Sequence, residues 1–158
     1  MRITDFLVLL VEDDPDHVLL VQRAFGKANL VNPLRIVRDG EEAIAYLAGR
    51  DPYSQRSRHP LPSLILLDLK LPRKSGLEVL SWIRSEPALK FTPVVVLSSS
   101  YDSGDIQKAY ALGVNSYLVK PVAFGDLVEM VKSIGMFWLI LNQSADARES
   151  RSLPQSPA

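Results

Sequence analysis

At 158 residues, 47% of them apolar, the chain is long enough for one domain with its own core. Eighteen basic residues balance eighteen acidic ones, so no bulk charge favours nucleic acid or an anionic membrane as a partner. There is no cysteine, which excludes disulfides, thiolate metal sites and cysteine nucleophiles.

Phe6-Leu7-Val8-Leu9-Leu10-Val11 opens the folded part. A short, continuous apolar run reads as a strand buried on both faces. It ends in three acids, Glu12-Asp13-Asp14, and Pro15 suits the first helical position with Asp14 as N-cap. That helix is expected to run to about Asn29, with Val18, Leu19, Val21 and Phe25 inward. Leu34 to Val37 is a short strand, closed by a turn at Asp39-Gly40, and Glu41 to Ala48 reads as helix. Residues 49–62 are longer than the usual connection of about two to six residues. With three arginines and one histidine this stretch is basic, and it reads as a solvated insertion or a partner-docking surface.

Leu64-Ile65-Leu66-Leu67 is a third buried strand, and it runs straight into Asp68. Leu69-Lys70-Leu71-Pro72 leads through a turn to a helix reaching about Glu86, with Leu77, Val79, Leu80 and Ile83 apolar. Pro93 to Leu97 is the fourth strand, followed by Ser98-Ser99-Ser100. Ser103 to Leu112 reads as helix, with Gly113 as its C-cap. Tyr117 to Val119 is the last strand and runs into Lys120-Pro121. A final helix is expected from Phe124 to about Asn142. Ser144 to Ala158 is rich in Ser, Pro and charge, and buries too little to offset its ordering entropy. The expected organisation is one domain over residues 1–143 and a disordered tail over 144–158.

Strands alternating with helices imply a parallel sheet covered on both faces. Right-handed crossovers leave few topologies, and order 2-1-3-4-5 is the common five-stranded one. The expected fold is therefore α/β, a flavodoxin-like three-layer (βα)5 arrangement. In it the C-terminal strand ends share one edge, where ligands collect. Strand 1 brings Glu12 and Asp13 there, strand 3 Asp68, strand 4 Ser98 and strand 5 Lys120. Carboxylates so placed repel one another unless a cation intervenes. Oxygen ligands of this kind suit Mg²⁺, while a lysine and a hydroxyl suit a phosphoryl group. These are the parts that phosphoryl transfer to an aspartate needs.

The acid pair after strand 1, Asp68 in Leu-Leu-Asp-Leu-Lys-Leu-Pro, Ser98 and Lys120-Pro121 together resemble the receiver domain of two-component response regulators. The resemblance spans roughly Phe6 to Leu141. It implies Asp68 as phosphoacceptor from a histidine kinase. It implies Mg²⁺ held by Glu12, Asp13, Asp68 and the backbone carbonyl of Lys70. Lys120, Ser98 and the backbone of Ser99 would meet the phosphoryl oxygens, and Tyr117 would follow Ser98 inward as a switch. Lys70 and Ser100, two residues past Asp68 and Ser98, would tune phosphoryl lifetime. The family's Lys-Pro bond is usually cis, which would apply to Pro121. His17 is given a helix-surface position and no chemistry.

The long loop and Phe137-Trp138 also resemble the single-domain response regulators of cyanobacterial-type phytochromes, which implies a phytochrome-type kinase. Leu127, Val131, Ile134, Trp138 and Leu141 fit one inward stripe of the last helix, leaving Val128, Met136, Phe137 and Ile140 as candidates for a homodimer interface; the long loop or the tail is the other possible cover. Only about 16 residues follow Asn142, so the expected output is contact with a downstream protein, without catalysis beyond the chain's own phosphorylation and dephosphorylation. No apolar run approaches the roughly 17–25 residues of a membrane-spanning helix, and the acid-bearing N-terminus lacks a cleavage signal; a cytoplasmic protein is expected, with neither nucleic acid nor membrane as partner. The competing class is an aspartate-nucleophile Mg²⁺ phosphatase or phosphotransferase. Such enzymes usually carry a second acid where this chain has Lys70.

Overall fold

A computed structural model describes residues 6–141, the last two by backbone alone. The expected tail, 144–158, lies outside the described residues. The elements are β1 (Val8–Val11), α1 (Pro15–Lys27), β2 (Leu34–Val37), α2 (Gly40–Ala48), β3 (Leu64–Leu67), α3 (Gly76–Ser85), β4 (Val94–Ser98), α4 (Ser103–Ala111), β5 (Ser116–Val119) and α5 (Phe124–Ile134). A π-helical segment, Gly135–Leu141, continues from α5.

The five strands form one parallel sheet in the order β2-β1-β3-β4-β5. Val8 pairs with both Leu34 and Leu64, and Val11 with both Val37 and Leu67. Side chains alternate across a strand with period two, and both faces are apolar. Leu9, Val11, Ile65, Leu67, Val94 and Val96 join the core under α2, α3 and α4. Val8, Leu10, Leu64, Leu66, Val95 and Leu97 join the core under α1 and α5. Burial on both faces explains why these strands read as unbroken apolar runs. Emptying one position by Leu→Ala costs about 2–5 kcal/mol in such a core.

The caps place the helix ends. Asp14 accepts from the backbone N–H of Asp16 at 2.9 Å and starts α1. The helix stops at Lys27, two residues before the expected end, because Asn29 turns left-handed at φ 59°. The amides of Asn29 and Leu30 then return to the carbonyls of Gly26 and Phe25, which satisfies helix-end acceptors. Leu19 was expected inside but is 44% exposed; the stripe Val18, Val21, Phe25 leaves it turned outward at 100° per residue. Asp39 caps α2 through the amide of Glu42 at 2.7 Å, so Asp39-Gly40 starts a helix where a turn was expected. Gly113, at φ 95°, stands just beyond the C-cap Leu112 of α4.

Residues 49–62 are largely exposed, as expected of a solvated insertion, but they are also tied to the fold. The Arg56 guanidinium donates to the carbonyls of Tyr46, Leu47 and His59 at 2.7–3.0 Å. The Tyr46 hydroxyl donates to the carbonyl of Pro60, and that of Tyr53 to Glu42. The rings of Tyr46, Tyr53 and His59 pack between them, the histidine edge-on to both tyrosines. The loop is thus clasped to α2 and β2, across the sheet from α5, and is not the cover the last helix was offered.

The last helix also departs from expectation. Leu127, Val131 and Ile134 are buried as predicted, but the next buried apolar side chain is that of Leu139, and Trp138 is only half-buried. A π-helix bonds residue i to i+5 and so turns more slowly than an α-helix, and Leu139 joins Ile134 in the same buried cluster. Gly135 permits the change at close quarters, since a Cβ there would lie 2.7 Å from Leu30 Cδ2. Among the described residues no helix is long and apolar enough to cross a membrane.

Candidate functional site

The sheet's own ladder carries the site residues to one edge. Just past β1, the Glu12 amide still pairs with the Val37 carbonyl at 3.0 Å. Past β3, the Asp68 amide pairs with the Val11 carbonyl at 3.1 Å, and past β5 the Lys120 amide pairs with the Ser98 carbonyl at 2.8 Å. Three side chains from distant parts of the chain are thus held by backbone bonds on neighbouring strands. Gly76, opening α3, presses on the same spot: a Cβ there would lie 2.2 Å from the Asp68 carbonyl oxygen.

Oxygens of Glu12, Asp13 and Asp68 lie within 4.8 Å of one another. Glu12 and Asp68 are buried, at 2% and 8% exposure, whereas Asp13 faces solvent. Lys120 Nζ lies 2.6 Å from Glu12 Oε1 and 3.3 Å from Asp68 Oδ2. Burial pushes the Glu12 carboxyl above the usual glutamate range, the hydrogen bond from Lys120 draws it back, and the charge of Asp68 raises it again. One ammonium among three carboxylates leaves an excess of negative charge in a small oxygen-lined space. Such a space suits a small hard divalent cation.

Ser98 is fully buried, and its Oγ accepts from the Ser100 amide at 3.1 Å. Ser99 is exposed and lines a cavity of about 280 Å³ together with His17, Leu20, Lys120 and Val122. Lys70 is exposed, and its amide points at Asp68 Oδ1 from 3.5 Å. Tyr117 packs its ring against the core on the α4 side, and its hydroxyl donates to the Ser100 carbonyl at 2.8 Å. The expected set Glu12, Asp13, Asp68 and Lys120 is therefore one cluster. Ser98, Ser99 and Tyr117 are tied to it through the segment after β4.

One expectation needs correction and one residue is new. The one cis peptide among the described residues is Asp51–Pro52; Lys120–Pro121, expected cis, is trans. The isomers of an X–Pro bond differ by only about 0.5–1 kcal/mol, so tertiary context decides between them. Of the proposed interface residues, Val128 is half-buried against the chain's own core. Met136 and Phe137 are 53% and 51% exposed, and the side chain of Ile140 lies outside the described residues. His17, set aside as a surface residue, places Nδ1 2.8 Å from Lys120 Nζ. Its position could have signalled this: the first turn of a helix that follows strand 1 overlies the shared strand edge.

Chemically, Asp68 offers a carboxylate oxygen beside a cation-binding space, with an ammonium in contact and an opening to solvent. That equips it to attack an electrophilic phosphorus.

The family model of the response regulator receiver domain matches residues 8–132. The response regulator Rcp1 of Synechocystis sp. is 44% identical over 133 residues, 84% of this chain and 88% of that protein. A probable methanogenesis regulatory protein, FilR2 of Methanothrix harundinacea, is 41% identical over 139 residues, 88% of this chain and 87% of that one. The crystal structure of the phosphorylated cyanobacterial phytochrome response regulator RcpA superposes with a TM-score of 0.83 at 41% identity, covering 89% of this chain and 99% of that one. Rcp1 has been solved in an Mn²⁺-bound form.

Proposed function

Since this chain belongs to the response regulator receiver family, we propose that it accepts a phosphoryl group on Asp68 from a phytochrome-type histidine kinase in a Mg²⁺-dependent relay. The observation that carries this is the meeting of Glu12, Asp13 and Asp68 within 4.8 Å, with Lys120 bonded to two of them.

Glu12, Asp13, Asp68 and the carbonyl of Lys70 would hold Mg²⁺, which when bound supplies positive charge to the oxygens of the transferring group. An Asp68 oxygen attacks the phosphorus of the kinase's phosphohistidine. The new O–P bond forms as the P–N bond breaks, and the departing imidazole nitrogen keeps the electron pair and takes up a proton. Lys120 turns its ammonium to a phosphoryl oxygen. Ser98 trades the Ser100 amide for the phosphoryl group, and the Ser99 amide adds a second donor. That trade reaches Tyr117 because Ser100 carries the carbonyl which its hydroxyl holds. A local charge is thereby converted into a rearranged surface.

The likeness to RcpA, a cyanobacterial phytochrome response regulator, supports the kinase class. Output is a contact with a downstream protein. A homodimer forms through the exposed Met136 and Phe137, joined by Val128 and Ile140. The chain acts in the cytoplasm as a signalling protein, with residues 1–143 as receiver and 144–158 as a tail. Lys70, standing where an aspartate-nucleophile phosphatase would carry its second acid, disfavours that class.

The test is phosphotransfer from a panel of purified histidine kinases, phytochrome-type and others, to the wild type and Asp68→Asn. Transfer is expected from the phytochrome-type kinases, and to the wild type alone. Preferential transfer from a kinase with no light-sensing module overturns the partner; labelling of Asp68→Asn overturns the acceptor. Light scattering reads the dimer, and an unshifted mass in Met136→Glu/Phe137→Glu would overturn the interface.

A further inference from the structure

We infer that His17 is a positioning residue for phosphoryl transfer: as a hydrogen-bond acceptor it holds the Lys120 ammonium over Asp68. This rests on the phosphoacceptor reading above and adds a residue to it.

Lysine has three N–H donors and no acceptor. In this chain all three have an acceptor within reach: Glu12 Oε1 at 2.6 Å, His17 Nδ1 at 2.8 Å and Asp68 Oδ2 at 3.3 Å. An ammonium can meet Nδ1 at that distance only if Nδ1 presents its lone pair, so the ring proton sits on Nε2. The two carboxylates are the groups that a divalent cation and a phosphoryl group would claim. His17 is the one of the three that neither claims, so its bond is the one that persists while the other two N–H groups change partners.

The backbone supports that role. His17 lies in the first turn of α1, whose start is fixed by the Asp14 cap and by Pro15. The lysine stem is long and loses rotamer entropy on being held. A fixed acceptor on the open side stops it from swinging into the neighbouring cavity, which His17 and Lys120 line together with Val122 and Leu127. His17 is 37% exposed and Lys120 12%, so the bond lies at the mouth of the site. The wider charge setting is Asp14 Oδ2 at 3.6 Å and Glu12 Oε1 at 3.9 Å from Nδ1.

The experiment measures Mg²⁺-dependent phosphorylation by phosphoramidate at saturating donor in wild type, His17→Leu, His17→Asn, Lys120→Ala and His17→Leu/Lys120→Ala. Asparagine puts an amide oxygen close to the place of Nδ1; leucine fills the space without an acceptor. His17→Leu is expected to slow phosphorylation about fivefold, the size of one ordinary net hydrogen bond. His17→Asn recovers most of the rate, and His17→Leu has no further effect once Lys120 is alanine. In the wild type, nitrogen-detected NMR is expected to show a protonated Nε2 and a bare Nδ1. Equal rates for wild type and His17→Leu, an undiminished effect of His17→Leu in the Lys120→Ala background, or a protonated Nδ1 would each overturn the inference. A His17→Leu defect seen only with a kinase as donor does so too, since it assigns His17 to kinase docking. A wild type that takes up no phosphoryl group instead overturns the phosphoacceptor reading beneath it.

Discussion

Lys120 Nζ lies closer to Glu12 than to the proposed acceptor, 2.6 Å from Oε1 of a carboxylate that is 2% exposed. The lysine is the charge partner of a buried metal-ligand candidate before any phosphoryl group arrives. Removing one member of a buried pair leaves the other uncompensated, at a cost of about 3–5 kcal/mol. Lys120→Met keeps the stem and loses the charge, and is expected to lose about that much stability in EDTA. Saturating Mg²⁺, by supplying positive charge to the same oxygens, is expected to restore most of it. Urea denaturation in the two buffers checks this; an equal loss in both would mean that cation and lysine do not serve the same carboxylates.

The same burial gives a pH dependence. The folded-state value of Glu12 stands above its unfolded value, mainly through burial. Its contribution to stability is therefore full below the ordinary glutamate value and is lost as pH rises through the raised one. Without metal, Glu12→Gln is expected to remove the part of the decline that sets in above the ordinary glutamate value. Denaturation midpoints across the range, wild type against variant in EDTA, would refute the sign if the two curves ran parallel.

The tie between Tyr117 and the Ser100 carbonyl, at 2.8 Å, predicts a local effect. Tyr117→Phe keeps the ring and deletes the donor, for an expected loss of about 1 kcal/mol. The Ser100 amide, bonded to Ser98 Oγ, is expected to exchange its hydrogen faster. Unchanged exchange there, with exchange elsewhere altered, would separate Tyr117 from the segment after β4.

Gly76 tests how tightly the acceptor is held from behind. A methyl at this position meets the Asp68 carbonyl at 2.2 Å, an overlap that only backbone movement relieves. Gly76→Ala is expected to cost about 1–3 kcal/mol as overpacking and to slow phosphorylation of whatever fraction folds. Wild-type rates in a folded Gly76→Ala chain would show that the β3–α3 junction does not set the geometry of Asp68.

The sheet and its charged edge were readable because they depend on local pattern. Leu64-Ile65-Leu66-Leu67 can be unbroken and apolar only if both faces are covered, and Asp68 must then emerge at the edge that Glu12 and Lys120 share. What escaped depends on distant partners. Arg56 clasps the long loop by reaching three carbonyls, and nothing in its neighbours announces them. The switch to π geometry after Ile134 moves the buried position to Leu139, which a strict 3.6-residue period cannot place. The trans bond at Pro121 is a choice between nearly equal isomers. His17 was set aside because a histidine on a helix is unremarkable until the lysine 103 positions later is seen beside it.

The central claim is that Asp68 is the oxygen that takes the phosphoryl group. Intact-mass spectrometry after incubation with acetyl phosphate, with Mg²⁺ or with EDTA, tests it most directly on wild type and Asp68→Asn. The expected result is one added phosphoryl group on the wild type with Mg²⁺ alone, stable in acid, lost in base, and absent from Asp68→Asn. A phosphoryl group that persists in Asp68→Asn, or that forms equally in EDTA, would contradict it.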